Sequence, residues 1–273
     1  MKHQNVCIAR TSFYDRAPML KLSLEYQQQV KNNEDYHTYV FIDPHPSNGY
    51  SIEYDNIITK DYTRINWANN QGKYCWYNAI NYLFENTSIE YVISIEDDII
   101  VSYDYLNLCQ QIINDSILER YENILYFHIG ALGKPRGNKN KVVRSQACSR
   151  SILISRSKFL IIKQYIEKQG IKVDNDNVIA SLLTDYRMTT IAPEMNRSGH
   201  FGIYGWSSNR IHGNQNGKKT IFSDEVSFNQ LYELLKCTCL NGQALYTLNN
   251  NQVKEYFWDF DPNINFENLI YEI

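Results

Sequence analysis

Along the first hundred residues, short apolar runs alternate with longer segments of helical period. The runs are NVCIA near the start, YHTYVFID and YVISI, with YDNIITK as a weaker third strand before the last of them. APMLKLSLEYQQQVK separates the first two. Its Pro18 suits a first helical turn, where a missing N–H costs nothing, and Met19, Leu20, Leu24 and Tyr26 supply a partial apolar face. GKYCWYNAINYLFENTS leads into YVISI, with Trp76, Tyr77, Ile80, Leu83 and Phe84 at three- and four-residue steps. Strands that alternate with helices of this length pair in parallel, because the helix carries the chain back across the sheet. The expected fold class is α/β, with a mostly parallel central sheet flanked by helices. Such sheets bind ligands beyond the carboxyl ends of their strands. Three strand ends are therefore of interest: Arg10 after the first, Asp43 at the end of the second, and Glu96, Asp97 and Asp98 after the fourth.

The remainder of the chain continues the alternation. YDYLNLCQQIIND reads as a helix, ILYFHI as a strand, SILISR as a strand, SKFLIIKQYIEK as a helix, DNDNVIASLL as a helix, and MTTIAPE as a strand ended by Pro193. GALGKPRGNKNK reads as a flexible loop. The glycine-rich NRSGHFGIYGWSSNRIHGNQNGKK reads as a long mobile loop, and a C-terminal helix is expected near EVSFNQLYELLK. No repeat or linker interrupts the 273 residues, so one domain is expected over 1–273.

Composition excludes some classes. A net charge of -3 argues against a general nucleic-acid binder. No apolar run approaches the roughly 20 residues of a membrane span, and MKHQNVCIARTSF lacks the apolar segment of a secretory signal. The six cysteines are scattered, without a C-x-x-C, and read as reduced thiols. The expected location is cytoplasmic.

The triplet Glu96-Asp97-Asp98 interrupts an apolar sequence, YVISI before it and IIV after it. Ordinary carboxyls are ionised at neutral pH. Two such charges about 4 Å apart repel by roughly 4 kcal/mol at an effective dielectric of 20. Something must offset that charge: water on a solvated turn, or a bound cation. Hard divalent ions take carboxylate oxygens and complete their shells with water and substrate phosphates. A nucleotide-sugar transferase needs such an arrangement, because its leaving nucleoside diphosphate carries new negative charge.

The triplet with the following IIVSYDYL resembles the E-D-D-L-x-x-(A/S)-x-D-(F/Y) segment of GT-A fold glycosyltransferases. The likeness is greatest to the inverting N-acetylglucosaminyltransferases that start complex N-glycans and their relatives acting on O-mannose. GKYCWYNAI resembles that family's H-Y-R-W-A-L helix start. TTIAPEMNRSGHFGIYGWSS resembles its I-R-P-E-I-S-R-T-x-x-F-G-x-x-G-x-S segment, and VDNDN stands near the place of its W-D-D-W. The matches run in order over about residues 6 to 210.

The resemblance implies a GT-A, Rossmann-like fold, with a nucleotide-binding half over 1–110 and an acceptor and catalytic half over 111–273, a UDP-sugar donor, UDP-GlcNAc above all, and Mn²⁺ or Mg²⁺. It makes Asp98 the metal ligand, Asp97 a contact to donor ribose or sugar, and Glu96 a carboxylate near the donor sugar. Asp43 and Arg10 correspond to nucleotide contacts; a turn aspartate and a surface arginine are the plainer readings. Lys73 stands where the family has a histidine. As a permanent ammonium it could pair with the diphosphate or lie solvated at a helix start. Asp176, with Asp174 second, is the candidate base for the acceptor hydroxyl, although an Asp/Asn cluster before a helix is also an ordinary cap. Arg197, Phe201, Gly202, Gly205 and Ser207 match the loop that closes over the donor. His212, and after it His200, are candidate metal ligands. Lys134, Arg136, Lys139 and Lys141 form a basic loop that could meet an anionic acceptor, though a solvated loop is the plainer reading.

The expected partners are a nucleotide-sugar donor and a glycan, protein or cell-surface acceptor. Two rivals stand beside this reading. A sugar-nucleotide-forming nucleotidyltransferase usually has a Gly-rich basic loop after the first strand, where this chain reads ARTSFYDRAP. A non-catalytic binder of the same fold would hold the donor without turning it over.

Overall fold

The computed structural model describes residues 4–13, 16–43, 57, 61–66, 75–128, 137–138, 140–145, 151–170, 175–195, 197–200 and 268–273. Strands β1 (Val6–Phe13), β2 (His37–Asp43), β3 (Tyr62–Asn66), β4 (Tyr91–Glu96), β6 (Ile124–His128), β7 (Lys141–Ser145), β8 (Ser151–Ser155), β9 (Thr189–Pro193) and β11 (Ile270–Glu272) form one sheet. Their order is β11-β7-β9-β6-β8-β4-β1-β2-β3. A second, two-stranded sheet joins β5 (Ile99–Val101) to β10 (Ser198–His200). The helices are α1 (Ala17–Gln27), α2 (Cys75–Asn86), α3 (Tyr105–Asn114), α4 (Ile117–Arg120), α5 (Arg156–Gln169) and α6 (Asn175–Asp185).

The sheet is mixed but mainly parallel. β1 pairs in parallel with β2 and β4, β2 with β3, β6 with β9, and β11 with β7. β8 runs antiparallel to both β4 and β6, and β7 antiparallel to β9. It follows that β1, β2, β3, β4, β6 and β9 all point the same way. Their carboxyl ends meet at one edge, which carries Asp43, Glu96 and His128.

The two-residue period of the strands sorts the core. Val6 and Ile8 of β1 join Ile93 and Ile95 of β4 under α3 and α4, against Leu106, Leu108, Cys109, Ile112 and Ile117. Cys7 and Ala9 face the other way with Val92, Ile152 and Ile154, toward α2, α5 and α6. β6 and β8 are buried along their whole lengths, which accounts for their continuous apolar sequences. Pro18 stands in the first turn of α1, as its sequence position predicts. Cys7 and Cys109 are free buried thiols, and burial pushes both well above the ordinary thiol range. Among the described residues no helix is long and apolar enough to cross a membrane.

The third strand departs from the sequence reading. It is formed by YTRIN at 62–66, whereas YDNIITK, apart from Ile57, lies outside the described residues. YTRIN pairs on one side with β2, and its residues are half-buried or exposed. A polar strand at a sheet edge has little apolar pattern to betray it. The polar segment NRSGH contains a strand, β10, where the sequence reads as loop; most of the glycine-rich segment beyond it, and the helix expected near EVSFNQLYELLK, lie outside the described residues.

Candidate active site

β4 ends at Glu96, and the chain turns through Asp97 and Asp98 before entering β5. Asp97 and Asp98 are buried, at 1% and 5% exposure. Water therefore does not offset their charge. Arg16 does: its Nη1 lies 3.1 Å from Asp97 Oδ1, and its Nη2 donates to Asp98 Oδ2. Burial alone would lower the Arg16 guanidinium, but Asp97 and Asp98 outweigh that effect and hold it above its ordinary value. Ser12, at the end of β1, donates from Oγ to Asp97 Oδ2 at 2.7 Å. Met19 Sδ stands 3.3 Å from Arg16 Nη2.

A second arginine braces the backbone of the same turn. Arg10 is fully buried. Its Nη1 donates to the carbonyl oxygens of Glu96 and Ile99, at 2.9 and 3.4 Å. Its Nη2 donates to Ser23 O at 3.0 Å, and its Nε to Gln27 Oε1 at 2.7 Å. Burial lowers its pKa to about 10, so it remains charged at neutral pH. The nucleotide contact expected of Arg10 would require it to leave these carbonyls; as placed, it fixes the turn. Ser23 Oγ also donates to Ile99 O, so β1 and α1 together hold both ends of the acidic turn.

Beyond the turn, β5 pairs with β10 in the register Ser198↔Val101, Gly199↔Ile100 and His200↔Ile99. Two segments about a hundred residues apart, EDDIIV and RSGH, thus become neighbours, and the backbone of His200 comes beside the residue that follows Asp98. Arg197 locks the junction from within. It is fully buried, donates from Nε to Asp104 Oδ2 at 3.1 Å and from Nη1 to Met195 O at 2.6 Å. Asp104 Oδ1 accepts from Ser102 Oγ at 2.6 Å, and Ser102 N donates to Arg197 O at 2.8 Å.

The other candidate residues spread around this core. The backbone of Asp43 is in register with Phe13, while Glu96 is in register with Thr11, so the two acidic positions flank the end of β1. Asp176 occupies the first turn of α6. Lys73, Asp174 and His212 lie outside the described residues, as do Phe201, Gly202, Gly205, Ser207, Lys134, Arg136 and Lys139. Lys141 of the expected basic loop is instead in β7, paired with Glu194 and Glu272 at 3.5 and 2.7 Å.

Ser12 and Arg16 were not singled out by sequence. The signal available was ARTSFYDRAP itself: a serine at an inward-facing strand position and a basic residue before Ala17-Pro18, both near the carboxyl end of β1. The donor set as arranged does not fit a divalent ion. Both aspartates contact a guanidinium, and among the described residues no group of three or more His, Cys, Asp and Glu could hold a metal.

No protein-family model and no curated protein matches the chain. Solved structures resemble parts of it. An active-site mutant of LgtC is 12% identical, with 64% of this chain and 69% of that one covered, at a TM-score of 0.43. The mannosyltransferase PcManGT from Pyrobaculum calidifontis, in complex with GDP-Man and Mn²⁺, is 13% identical over 69% of this chain and 54% of its own, at 0.46. S. aureus TarS 1-349 is 10% identical over 72% of this chain and 60% of its own, at 0.45. The chain thus spans little more than half of the mannosyltransferase. Its fold rests on the sheet described above, and its chemistry on its own side chains.

Proposed function

We propose that this protein is a glycosyltransferase that moves a sugar, GlcNAc above all, from a UDP-sugar to a hydroxyl on a glycan, protein or cell-surface precursor. One observation carries the reading. A buried acidic turn at the carboxyl end of β4 is held rigidly by β1 and α1 and is joined through β5–β10 to the segment that begins at Arg197. These are the two segments whose sequences most resemble a nucleotide-sugar transferase, and they meet at the edge where α/β sheets take ligands.

In the proposed reaction the acceptor oxygen forms a bond to the anomeric carbon as the bond from that carbon to the diphosphate breaks. The sugar inverts, and the nucleoside diphosphate departs with the bonding electrons. Asp176, or Asp174, takes the acceptor proton. Asp43 and Lys73 would bind the nucleotide, and Glu96 and Asp97 the donor's sugars. The cofactor implied by the resemblance is Mn²⁺ or Mg²⁺ on Asp98, with His212 as a further ligand. Arg16 Nη2 holds Asp98 Oδ2, so an ion and the guanidinium would compete for this carboxylate.

The test is a screen of UDP-, GDP- and CMP-sugars for hydrolysis or transfer, with Mn²⁺, with Mg²⁺ and with chelator. Release of UDP from a UDP-sugar, UDP-GlcNAc first, is the expected result. Synthesis of a sugar nucleotide from UTP and a sugar phosphate would assign the protein to the nucleotidyltransferases. UDP binding without turnover of any donor, with acceptors supplied, would make it a binder only.

A further inference from the structure

The charge of the acidic turn is met from within the chain. Arg16 reaches Asp97 Oδ1 with Nη1 and Asp98 Oδ2 with Nη2, so one planar guanidinium spans both carboxylates. Ser12 Oγ takes the second oxygen of Asp97 at 2.7 Å. Arg10 holds the backbone of the same turn, and its charge is favoured by Asp97 and Asp98. Two guanidiniums thus face two buried carboxylates, and the four charges cancel. A hard divalent ion asks for a different setting. It takes about six oxygen ligands around one point, and it repels a guanidinium held on the same oxygens. Here both oxygens of Asp97 and Oδ2 of Asp98 are engaged. Among the described residues no three His, Cys, Asp or Glu side chains group so as to hold a metal. Arginine therefore supplies the compensation that adjacent carboxylates in an apolar context demand.

Arg16 can serve an anion without leaving the turn. A guanidinium carries five N–H groups. One goes to each carboxylate, while Nε and Nη2 also face Met19 Sδ, a weak acceptor, at 3.4 and 3.3 Å. Donors therefore remain that no carboxylate takes. The Arg16 side chain keeps 11% exposure just past the carboxyl end of β1, at the edge where α/β sheets take ligands. We propose that this protein takes its nucleoside diphosphate as the free anion and not as a metal chelate, with Arg16 in the place of the divalent ion. This rests on the reading above in taking this edge as the diphosphate site, and it departs from the metal dependence that the sequence resemblance implies. Asp97 and Asp98 aim the fork, and its remaining N–H groups donate to phosphate oxygens. As the nucleoside diphosphate leaves with the bonding electrons, the fixed guanidinium stabilises the new charge. The step then needs no divalent ion.

The experiment is calorimetric titration of UDP into the wild type, Arg16→Gln and Arg16→Lys, each in EDTA and each in Mn²⁺, with folding checked by circular dichroism. The wild type is expected to bind UDP in EDTA at least as tightly as in Mn²⁺. Arg16→Gln is expected to lose at least about tenfold in affinity in both conditions. Arg16→Lys, which keeps the charge without the fork, should lose less. Wild-type binding that is at least about tenfold weaker in EDTA and is restored by Mn²⁺ overturns the inference and leaves the transferase reading standing. UDP bound in neither condition removes the transferase reading and the inference with it. A folded Arg16→Gln that binds UDP as tightly as the wild type also overturns the inference, because Arg16 then plays no part in holding the diphosphate. Should Arg16→Gln not fold, the comparison of EDTA with Mn²⁺ in the wild type and in Arg16→Lys decides in the same terms.

Discussion

Buried charge is the dominant feature at the scale of single residues. Asp97, Asp98 and Asp104 are all nearly inaccessible, and each has an arginine or serine partner. Removing one member of such a buried pair ordinarily costs about 3–5 kcal/mol, because the other charge is left without compensation. The buried charged side chains Arg10, Arg197, Asp97, Asp98 and Asp104 therefore make the site edge costly to rearrange by mutation. The candidate base is a different kind of residue. Asp176 is in the first turn of α6, one residue beyond Asn175 at which the helix begins, so a role as general base does not compete with the cap position itself. Asp176→Asn is expected to leave donor affinity unchanged and to lower turnover at least about a hundredfold, measured as UDP release with acceptor present. Unaltered turnover would remove Asp176 from the chemistry, and the same effect in Asp174→Asn alone would move the role there.

At the scale of elements, single polar side chains weld neighbours together where apolar packing stops. Arg156, at the start of α5, donates from Nη2 to Thr87 O and Ile89 O at 3.0 and 2.5 Å and from Nη1 to Phe84 O. It thereby satisfies carbonyls at the carboxyl end of α2, where a cation is favoured. Glu194, just past β9, accepts from the Asn138 N–H at 2.7 Å and faces Lys141 Nζ at 3.5 Å. Gly137 has φ +117°, and a Cβ there would lie 2.7 Å from Glu194 Cγ, so only glycine lets the two segments close on each other. The Asn138 N–H first, and Lys141 after it, hold the Glu194 carboxyl below its usual 4.5. The folded state thus prefers the ionised form. The contact is present above about pH 4.5 and is lost as the pH falls through the lowered value. Amide exchange should accordingly show protection at Asn138 near pH 6 that declines below about pH 4. In Glu194→Gln that protection should be weak and insensitive to pH. Constant protection in the wild type over the same range would refute the assignment.

The same scale shows what the sequence could and could not convey. Helices α2, α3 and α5 and strands β2, β4, β6, β8 and β9 stand where apolar period alone predicts them, because each buries a broad surface. β3, β5, β10 and β11 were hidden by shortness, polarity or edge position. β7, KVVRS, buries only Val142 fully. The acidic turn was legible because three adjacent carboxylates in an apolar context demand compensation. The partner that supplies it was not. Arg16 and Asp98 are 82 residues apart, and no local pattern announces a pairing across that distance. For the same reason the sequence shows the charges of Arg10 and Arg197 but not the buried partners they hold, Gln27 and the carbonyls of Glu96 and Ser23 for the one, Asp104 and the carbonyl of Met195 for the other.

For the whole molecule, the nine strands form a continuous sheet from β11 to β3, and the six that run together expose their carboxyl ends at one edge. β1 lies next to β4 in the sheet, so the acidic turn is anchored in the core on both sides. That anchoring separates a loss of ligand from a loss of fold, provided the substitution keeps the shape of the side chain. The most direct measurement is calorimetric titration of UDP, with Mn²⁺ present, into the wild type and Asp98→Asn, with the fold of both verified. The wild type is expected to bind, and Asp98→Asn to lose at least about tenfold in affinity while remaining folded. Equal affinity of the two proteins for UDP would contradict a diphosphate site at the acidic turn.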